Sequence, residues 1–332
     1  MQAGFHILAA VNTAHKLKNS ALCEMLGIKY PIIMAPMFLV SDVNMVLAAC
    51  NCGITGAIPA LNYRSIQELE RALETLKEHS NGPFGINLIV NKSNFKLKEQ
   101  LEACCRIGVD YFITSLGNPK KVIDQAHAHG IKVFCDVTDL KYAQKVEALG
   151  ADAVIAVNDR AGGHAGTLSP DLLIPLLKKN ISIPVISAGG VGDHSTLVEI
   201  MDLGADGASV GSIFIASDEA PVSEDYKAAI VDHTEKHVVM TTKLSGTPCT
   251  VINTPYMQKI GTEQNRLEKV LNKNKRLKKW FKALTFVRGM DKLRNAAFSA
   301  TYKTVWCAGP SISHVDSIRP ISEIVKDLVN EV

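Results

Sequence analysis

The sequence predicts an α/β protein built on a (β/α)8 barrel of the TIM type, with a mostly helical C-terminal extension. Eight short apolar or β-branched runs alternate with amphipathic helical patterns, and the last two runs each end in a glycine-rich turn. The runs are almost continuously apolar, as parallel strands are when helices cover them. Eight such units in about 200 residues fit a barrel better than a doubly wound sheet, which stays the alternative.

The order of the elements follows from these runs and the patterns between them. The predicted strands are Ile32–Met37, Ile54–Ile58, Phe84–Leu88, Tyr111–Thr114, Lys132–Val137, Ala153–Val157, Val185–Ala188 and Gly207–Val210. The predicted helices between the strands are Val43–Ala49, Ile66–His79, Leu97–Ile107, Pro119–His129, Leu140–Leu149, Pro170–Lys179 and Thr196–Leu203. Glycine at joints such as Gly130, Gly150 and Gly204 is typical of a helix C-terminus.

The chain is expected to divide into three parts. Residues 1–25 form an N-terminal helical extension, residues 26–235 form the barrel, and residues 236–332 form a C-terminal insertion with a closing helix packed on the barrel. The barrel part is long enough to bury a sizeable core by itself.

Beyond the last predicted strand the regular alternation ends. Glu224–Glu235 continues as a helix, and Val238–Thr242 and Thr250–Asn253 are expected to form short extended pieces. Ser322–Val332 has the pattern of a final amphipathic helix.

The segment Asn265–Leu284 is a strongly basic helical pattern. Its lysines would suit a nucleic acid or a membrane surface. Leu271, Leu277 and Trp280, however, belong to an apolar stripe that can dock on protein. A packed helix with a solvated basic face is therefore the preferred interpretation, and a partner-binding surface is the alternative.

Composition indicates a soluble globular protein. The 332 residues are 47% hydrophobic, and the net charge of +3 is too small to argue for nucleic-acid binding. Eight cysteines without a CxxC pair predict reduced thiols in a cytoplasmic protein, and no metal site. The apolar run Phe5–Val11 is too short to span a membrane, and its lysines follow rather than precede it, so neither an anchor nor a signal peptide is expected.

Two glycine turns follow the last two predicted strands, Gly189-Gly190 after the seventh and Gly211-Ser212 after the eighth. Glycine lets backbone N–H groups approach a phosphate, and a helix N-terminus adds positive potential. In a (β/α)8 barrel, the turns after these two strands are the usual phosphate site. No dinucleotide fingerprint accompanies them, which favours a cofactor with a single phosphate.

The segment after the sixth predicted strand, Asn158–Gly166, surrounds His164 with three glycines. A histidine there can move protons near neutral pH over a flat ligand. The alternative is that His164 only hydrogen-bonds its own loop. Its position above a barrel strand, beside a phosphate site, favours catalysis, and His194 lies nearer the phosphate.

Several motifs in order along the chain are similar to those of one known family. They are Tyr30–Met37 (YPIIMAPM), Gly85–Leu88 (GINL), Ala161–Gly166 (AGGHAG), Ser187–Gly190 (SAGG), Gly204–Phe214 (GADGASVGSIF), Thr241–Pro248 (TTKLSGTP) and Trp306–Pro310 (WCAGP). From about Leu26 onward the chain resembles the FMN-dependent nitronate monooxygenases, formerly called 2-nitropropane dioxygenases. These share their barrel with the flavin enoyl-acyl-carrier-protein reductases.

The resemblance implies an FMN site with a catalytic histidine. His164 matches the histidine that faces the substrate, Ala35-Pro36-Met37 would lie beside the flavin ring, and Asn87 would hydrogen-bond it. The implied cofactor-binding residues are Ala35, Pro36, Met37, Asn87, Gly163, Gly166, Ala188, Gly189, Gly190, Ser209, Val210, Gly211 and Ser212. Family chemistry is one-electron oxidation of an alkyl nitronate by FMN, with O2 completing cleavage to a carbonyl compound and nitrite.

Three departures from the family pattern touch the mouth of the site. Arg160 replaces the glutamate that often precedes AGGH, Phe38-Leu39 crowd a turn where small residues are common, and Pro310 replaces a glutamine. FMN binding is therefore expected to carry over more safely than the substrate does.

Three functions are compatible with the sequence. The first is an FMN-dependent nitronate monooxygenase acting on a small-molecule substrate and O2. The second is an NAD(P)H-dependent FMN reductase for a quinone or an enoyl thioester, on the same barrel. The third is a binding protein with a vestigial flavin site that uses Asn265–Leu284 as a partner surface. The oligomeric state, including a homodimer, is left open.

Overall fold

The computed structural model describes residues 20–92, 94–243, 247–263 and 305–331. The first nine strands are β1 (Ile32–Met34), β2 (Thr55–Pro59), β3 (Phe84–Ile89), β4 (Tyr111–Ser115), β5 (Lys132–Val137), β6 (Ala153–Val157), β7 (Gly163–His164), β8 (Val185–Ala188) and β9 (Gly207–Val210). All of them except β7 form a closed parallel barrel in the order β1-β2-β3-β4-β5-β6-β8-β9, and β9 pairs with β1. The predicted (β/α)8 barrel is confirmed.

The helices that surround the barrel have the predicted positions to within two residues. They are α2 (Val43–Asn51), α3 (Ile66–His79), α4 (Leu97–Ile107), α5 (Lys120–His127), α6 (Leu140–Ala148), α7 (Pro170–Asn180) and α8 (His194–Asp202), preceded by α1 (Ala21–Leu26). Side chains at the N-caps set several starts. The Asp193 carboxylate accepts a hydrogen bond from the Thr196 amide at 2.9 Å, so α8 begins two residues before the predicted Thr196.

Strand side chains alternate between the barrel interior and the layer under the helices. The interior is filled by one apolar cluster, whose strand members are Ile33, Ala57, Tyr111, Ile113, Phe134, Ala153, Ile155 and Ile186. Tyr111 stacks on Phe134 with ring centroids 5.0 Å apart. Gly85 makes room for this pair, because a Cβ there would lie 2.2 Å from the Tyr111 ring.

Helix α1 closes the N-terminal end of the barrel. Leu22 is fully buried in the interior cluster, together with Cys23 and Ile28. A Cβ on Gly207, the first residue of β9, would lie 2.5 Å from Leu22 Cδ2. The end of the barrel opposite the predicted site is therefore plugged by side chains.

A small second sheet covers the other end. The remaining elements are α9 (Glu224–Asp232), β10 (Val238–Thr241), β11 (Cys249–Ile252), α10 (Pro255–Ile260) and α11 (Ile321–Val329). Strands β10, β11 and β7 form an antiparallel sheet in that order. Helix α11 packs on α2 and α8, and the His194 Nδ1–H group donates to the Leu328 carbonyl at 2.9 Å.

Two differences from the sequence predictions concern local backbone. The first predicted strand ends at Met34 rather than Met37, because Pro36 has no N–H group to extend the ladder. The residues of β7 were expected in a loop, yet they pair with β11. Residues 1–19 and the basic segment Asn265–Leu284 lie outside the described residues, and the three-part division of the chain stays a prediction. Within the described ranges, no helix combines the length and apolar character that crossing a membrane requires.

Candidate active site

Three neighbouring strands carry polar side chains near their C-terminal ends that face the barrel axis. Asn87 of β3, Ser115 of β4 and Asp136 of β5 each stand two positions after an interior residue, so alternation turns them inward. Asn87 Nδ2 donates to Ser115 Oγ at 2.8 Å, and Ser115 Oγ donates to Asp136 Oδ2. The C-terminal end of the barrel thus has a hydrogen-bonded polar arc on one side.

Asp136 is an unusual group for such a position. Burial raises the pKa of its carboxyl to about 6, although the hydrogen bond from Ser115 favours the charged form. In the described part of the chain, no lysine, arginine or histidine forms an ion pair with it. The carboxyl therefore changes charge close to neutral pH.

The turn after β1 holds Ala35–Met37 at the mouth. The Ser41 hydroxyl donates to the Ala35 carbonyl at 2.9 Å and accepts from the Met37 amide at 2.8 Å. The Leu39 amide donates to Asn62 Oδ1 at 2.9 Å, which supports Leu39 at a φ of 59°. A leucine in this left-handed region is strained, and such strain concentrates at functional sites.

Asn158, at the end of β6, ties the loop that follows to the turn after β8. Its Nδ2 donates to the Gly189 carbonyl at 3.0 Å, and its Oδ1 accepts from the Arg160 amide at 2.8 Å. A Cβ on Gly189 would lie 2.4 Å from the Ala161 amide nitrogen. Gly189 therefore serves close packing between these two loops.

His164 lies in strand β7, where the small sheet meets the barrel mouth. Cys249 of β11 pairs with His164, and Thr250 pairs with Gly163. The Thr250 hydroxyl also donates to the Ala161 carbonyl. The backbone that carries His164 is thus fixed by a strand from outside the barrel.

The His164 side chain is exposed at the mouth but surrounded by protein. Limited hydration lowers the pKa of its imidazole below the usual value, because the charged form loses more solvation than the neutral form. At neutral pH the ring is therefore mainly neutral, with one nitrogen that donates and one that accepts.

The predicted phosphate cradle has unpaired backbone donors. Gly190 has a φ of 89°, and the N–H groups of Gly190 and Val191 make no hydrogen bond to any residue the structure describes. Ser212 begins a 3-10 helix, Ser212–Ala216, whose first N–H groups have no partner within the helix. Donors from both turns are available to an anion.

A C-terminal segment closes the cradle from behind. The Gly309 amide donates to Ser212 Oγ at 2.8 Å. A Cβ on Gly309 would lie 2.6 Å from the Arg160 carbonyl oxygen, and a Cβ on Gly162 would lie 2.7 Å from Ser212 Oγ. Glycine at positions 162 and 309 is what allows these segments to meet.

The three departures from the family pattern all lie around this mouth. The Arg160 side chain runs past Gly190, where a Cβ would lie 3.1 Å from Arg160 Cδ, and its guanidinium is 3.9 Å from the Asp171 carboxylate. Pro310 starts the 3-10 helix Pro310–His314 directly after Gly309. Phe38 precedes the strained Leu39.

Comparison with known proteins identifies the family. The sequence profile described as nitronate monooxygenase matches residues 19–331. The chain belongs to the nitronate monooxygenase family. It is therefore an oxidoreductase, as the sequence predicted.

Relatives of this family member carry names that describe different enzymes. It is 28% identical over 274 residues to a nitronate monooxygenase of Paraburkholderia phytofirmans, covering 68% of this chain and 74% of the relative. It is also 28% identical over 236 residues to a Rhodococcus jostii enzyme named (3aS,4S,5R,7aS)-5-hydroxy-7a-methyl-1-oxo-octahydro-1H-indene-4-carboxyl-CoA dehydrogenase. That match covers 71% of this chain and 66% of the relative.

A solved structure supports the fold over nearly the whole chain. FabK from Thermotoga maritima superposes with a TM-score of 0.82 at 28% identity, covering 94% of this chain and 96% of that one. The similarity in fold therefore extends over most of both chains.

The site of this nitronate monooxygenase family member brings together most of the residues that the sequence predicted for FMN. Asn87 of β3, Ala188 of β8 and Ser209 of β9 lie at the mouth together with Ala35–Met37 of the turn after β1. Gly190, Gly211 and Ser212 lie at the cradle. The free backbone donors and the narrow turns fit one phosphate, so the residues present fit a flavin mononucleotide.

Some predicted residues have another role in the fold. A Cβ on Gly166 would lie 2.2 Å from the Val157 carbonyl oxygen, so Gly166 closes the β6 loop. The Val210 side chain packs under the helices, which leaves only its backbone for a ligand. Gly163, with a φ of 72° and open space around its Cβ position, borders the mouth.

Sequence reasoning missed Asp136, Thr250 and Gly309 as parts of the site. Asp136 carried a local signal, since it is the one carboxylate within the eight predicted strands. Thr250 and Gly309 carried none, because they reach the site through pairings distant in sequence.

Proposed function

We propose that this protein is an FMN-dependent enzyme that oxidises alkyl nitronates with O2 to a carbonyl compound and nitrite. The observation that carries the proposal is an exposed, mainly neutral His164 beside a cradle for one phosphate, in a member of the nitronate monooxygenase family.

The cofactor residues have distinct tasks in this proposal. The N–H groups of Gly190, Val191 and the start of Ser212–Ala216 would hold the phosphate. Ala35–Met37 and Asn87 would lie against the ring system. Bound FMN supplies the electron acceptor that no amino-acid side chain provides.

His164 positions the substrate and handles its proton. With a nitronate, the imidazole N–H donates to a nitronate oxygen and orients the carbon toward the mouth. With a neutral nitroalkane, the unprotonated ring nitrogen accepts the α-proton, which is general-base assistance worth about 10²–10⁴-fold in rate. The lowered pKa keeps this nitrogen unprotonated at neutral pH.

A second candidate is an NAD(P)H-dependent flavin reductase or dehydrogenase for a thioester or a quinone. It is favoured by the similarity to the Rhodococcus dehydrogenase, whose name specifies a carboxyl-CoA compound. The superposition on FabK over 94% of this chain is compatible with the same candidate.

Anaerobic titration of the purified protein separates the two candidates. The visible absorbance of the bound flavin should bleach on addition of a primary nitronate and recover with O2, with nitrite released. Bleaching by NADH or NADPH, but not by the nitronate, would favour the reductase instead. Flavin released by denaturation should be FMN, and FAD would contradict the single-phosphate cradle.

A further inference from the structure

The polar arc on β3, β4 and β5 ends in a carboxyl group that the proposed function leaves without a role. Asp136 Oδ2 accepts the Ser115 hydroxyl hydrogen. Its other oxygen makes no hydrogen bond to a residue in the described ranges, and the side chain is partly exposed at the end of β5. Alternation along β5 turns the Asp136 side chain toward the barrel axis, at the end of the barrel where the flavin is proposed to bind.

We propose that Asp136 is a further cofactor-binding residue that takes up a proton when the flavin binds and presents the resulting O–H group to an acceptor atom of the ring. This inference rests on the flavin site of the proposed function. In this inference Asp136 is the residue that takes up the proton. The hydrogen bonds from Asn87 to Ser115 and from Ser115 to Asp136 orient its carboxyl group.

Desolvation is the physical reason for proton uptake. Burial already raises the pKa of the Asp136 carboxyl to about 6 without a ligand. A neutral ring over the mouth removes the remaining water and adds no positive charge, so it raises this pKa further. By linkage, the flavin then binds more tightly to the protonated form of the protein.

The Ser115 hydroxyl connects the charge of Asp136 to Asn87. Ser115 accepts from Asn87 Nδ2 at 2.8 Å, so its single hydrogen goes to Asp136 when the carboxyl is ionised. When Asp136 is protonated, its carboxyl group carries no charge and accepts the Ser115 hydrogen less strongly. The hydroxyl hydrogen is then available at the mouth.

Other titratable groups around Asp136 stay neutral in the relevant pH range. Burial raises the pKa of the Cys135 thiol on β5 to about 12, and it raises that of the Tyr142 phenol on α6 above its usual value. Ser115 and Asn87 on β4 and β3 do not titrate. The FMN phosphate titrates near about pH 6. The pKa of His164 is lowered below its usual value by poor hydration, so the test must separate both effects from that of Asp136.

The test is the dissociation constant of FMN, measured by fluorescence quenching on apoprotein between about pH 5 and pH 8. In the wild type the constant should rise with pH above the pKa of free Asp136, by up to about tenfold per pH unit, because one proton is linked to binding. Asp136→Asn keeps a donor without a charge. The ratio of wild-type to variant dissociation constants should therefore rise with pH, while effects of His164 and of the phosphate cancel in the ratio.

Variants of Ser115 and of Asp110 provide the controls for this test. Ser115→Ala removes the bond that favours ionised Asp136, so the pH at which the ratio rises should move upward, and Ser115→Thr should restore it. Asp110→Asn is the matched control: Asp110 is also half-buried and accepts from the Phe84 amide at 2.9 Å, but at the opposite end of the barrel. It should leave the pH dependence unchanged.

The outcomes are distinguishable. Tight FMN binding with a ratio independent of pH, in folded wild type and Asp136→Asn, would overturn the role of Asp136 and leave the proposed function standing. A ratio that falls with pH would also overturn it. Failure of the wild type to bind any flavin at any pH would overturn the proposed function and this inference together.

Discussion

At the scale of single residues, two histidines that each follow glycines in the sequence have different surroundings in the structure. His164 is exposed at the mouth and its pKa is lowered by poor hydration. His194 is partly buried, and its Nδ1–H group donates to the Leu328 carbonyl of α11. The first can reach a substrate, whereas the second anchors a helix.

His164→Ala should therefore separate the two substrate forms. Turnover of a neutral nitroalkane should fall by about 10²–10⁴-fold, because the general base is lost. Turnover of the nitronate should fall less and mainly through KM, since it arrives without the α-proton. The measurement is kcat/KM for both forms across pH, with flavin content determined in parallel.

The pH dependence of turnover should show the direction in which the pKa of His164 is shifted. Since its pKa is lowered in the folded protein, the base form should persist as the pH falls below the usual histidine value of about 6.5. His194→Ala is the matched control. It should lower the free energy of unfolding by about 1 kcal/mol without changing kcat/KM for either substrate form. Wild-type rates for both forms in flavin-loaded His164→Ala would remove His164 from the mechanism.

At the scale of elements, the turn after β8 and the β7–β11 ladder define the two ends of the site. The turn supplies unpaired donors from Gly190 and Val191. The ladder holds the backbone of His164 against Cys249 and Thr250. In the proposed function, the turn after β8 would bind the phosphate and the β7–β11 ladder would place the proton-handling group.

Gly190→Leu should yield mostly apoprotein. The φ of 89° disfavours any side chain, and the new Cβ would lie 3.1 Å from Arg160 Cδ, where the phosphate is expected to approach. Gly130→Leu is the control, because Gly130 has a φ of 72° and nothing within 4 Å of its Cβ position, away from the site. Both variants should lose about 1 kcal/mol from backbone strain. Full flavin-to-protein absorbance ratios in Gly190→Leu would contradict the cradle.

Thr250→Val should loosen the loop that carries His164. The lost hydroxyl leaves the Ala161 carbonyl without its donor and should cost about 1 kcal/mol in the free energy of unfolding. KM for the nitronate should rise at nearly constant flavin content. Thr241→Val removes a comparable, partly buried bond, from Thr241 Oγ1 on β10 to the Thr262 carbonyl at 2.8 Å. That variant should lose comparable stability with an unchanged KM; equal KM values in both would argue against the ladder's role.

At the scale of the whole molecule, the two ends of the barrel differ in what fills them. The N-terminal end is filled by Leu22, Tyr111 and Phe134 and adds to stability. The C-terminal end holds the hydrogen-bonded side chains of Asn87, Ser115 and Asp136, and there we propose that the chemistry takes place. Packing changes at one end should therefore leave ligand binding at the other end intact.

Leu22→Ala tests this separation. Leu22 is fully buried, so its truncation should lower the free energy of unfolding by about 2–5 kcal/mol in urea denaturation, with FMN affinity unchanged. Leu172→Ala, on the 62% exposed Leu172 of α7, should change stability by no more than about 0.5 kcal/mol. Loss of FMN from folded Leu22→Ala would show that the two ends are coupled.

The sequence by itself determined the barrel, because each strand and helix has a local signal. Runs such as Ala153–Val157 and Val185–Ala188 were predicted with the bounds they have, and the periodicity of Ile66–His79 matches α3. The glycine turns at Gly190 and Gly211 were also predicted from the sequence, since glycine directly after a strand is a local pattern.

Only the tertiary structure decided how the mouth is completed. Thr250 lies 89 positions from Ala161, and Gly309 lies 97 positions from Ser212, so no local pattern in the sequence marks these pairs. The link from Ser115 to Asp136 spans 21 positions and depends on the register of β4 against β5. Hydrogen-bond partners are set by which backbones meet in space, and that is decided by closure of the barrel and docking of the C-terminal strands rather than by neighbours along the chain.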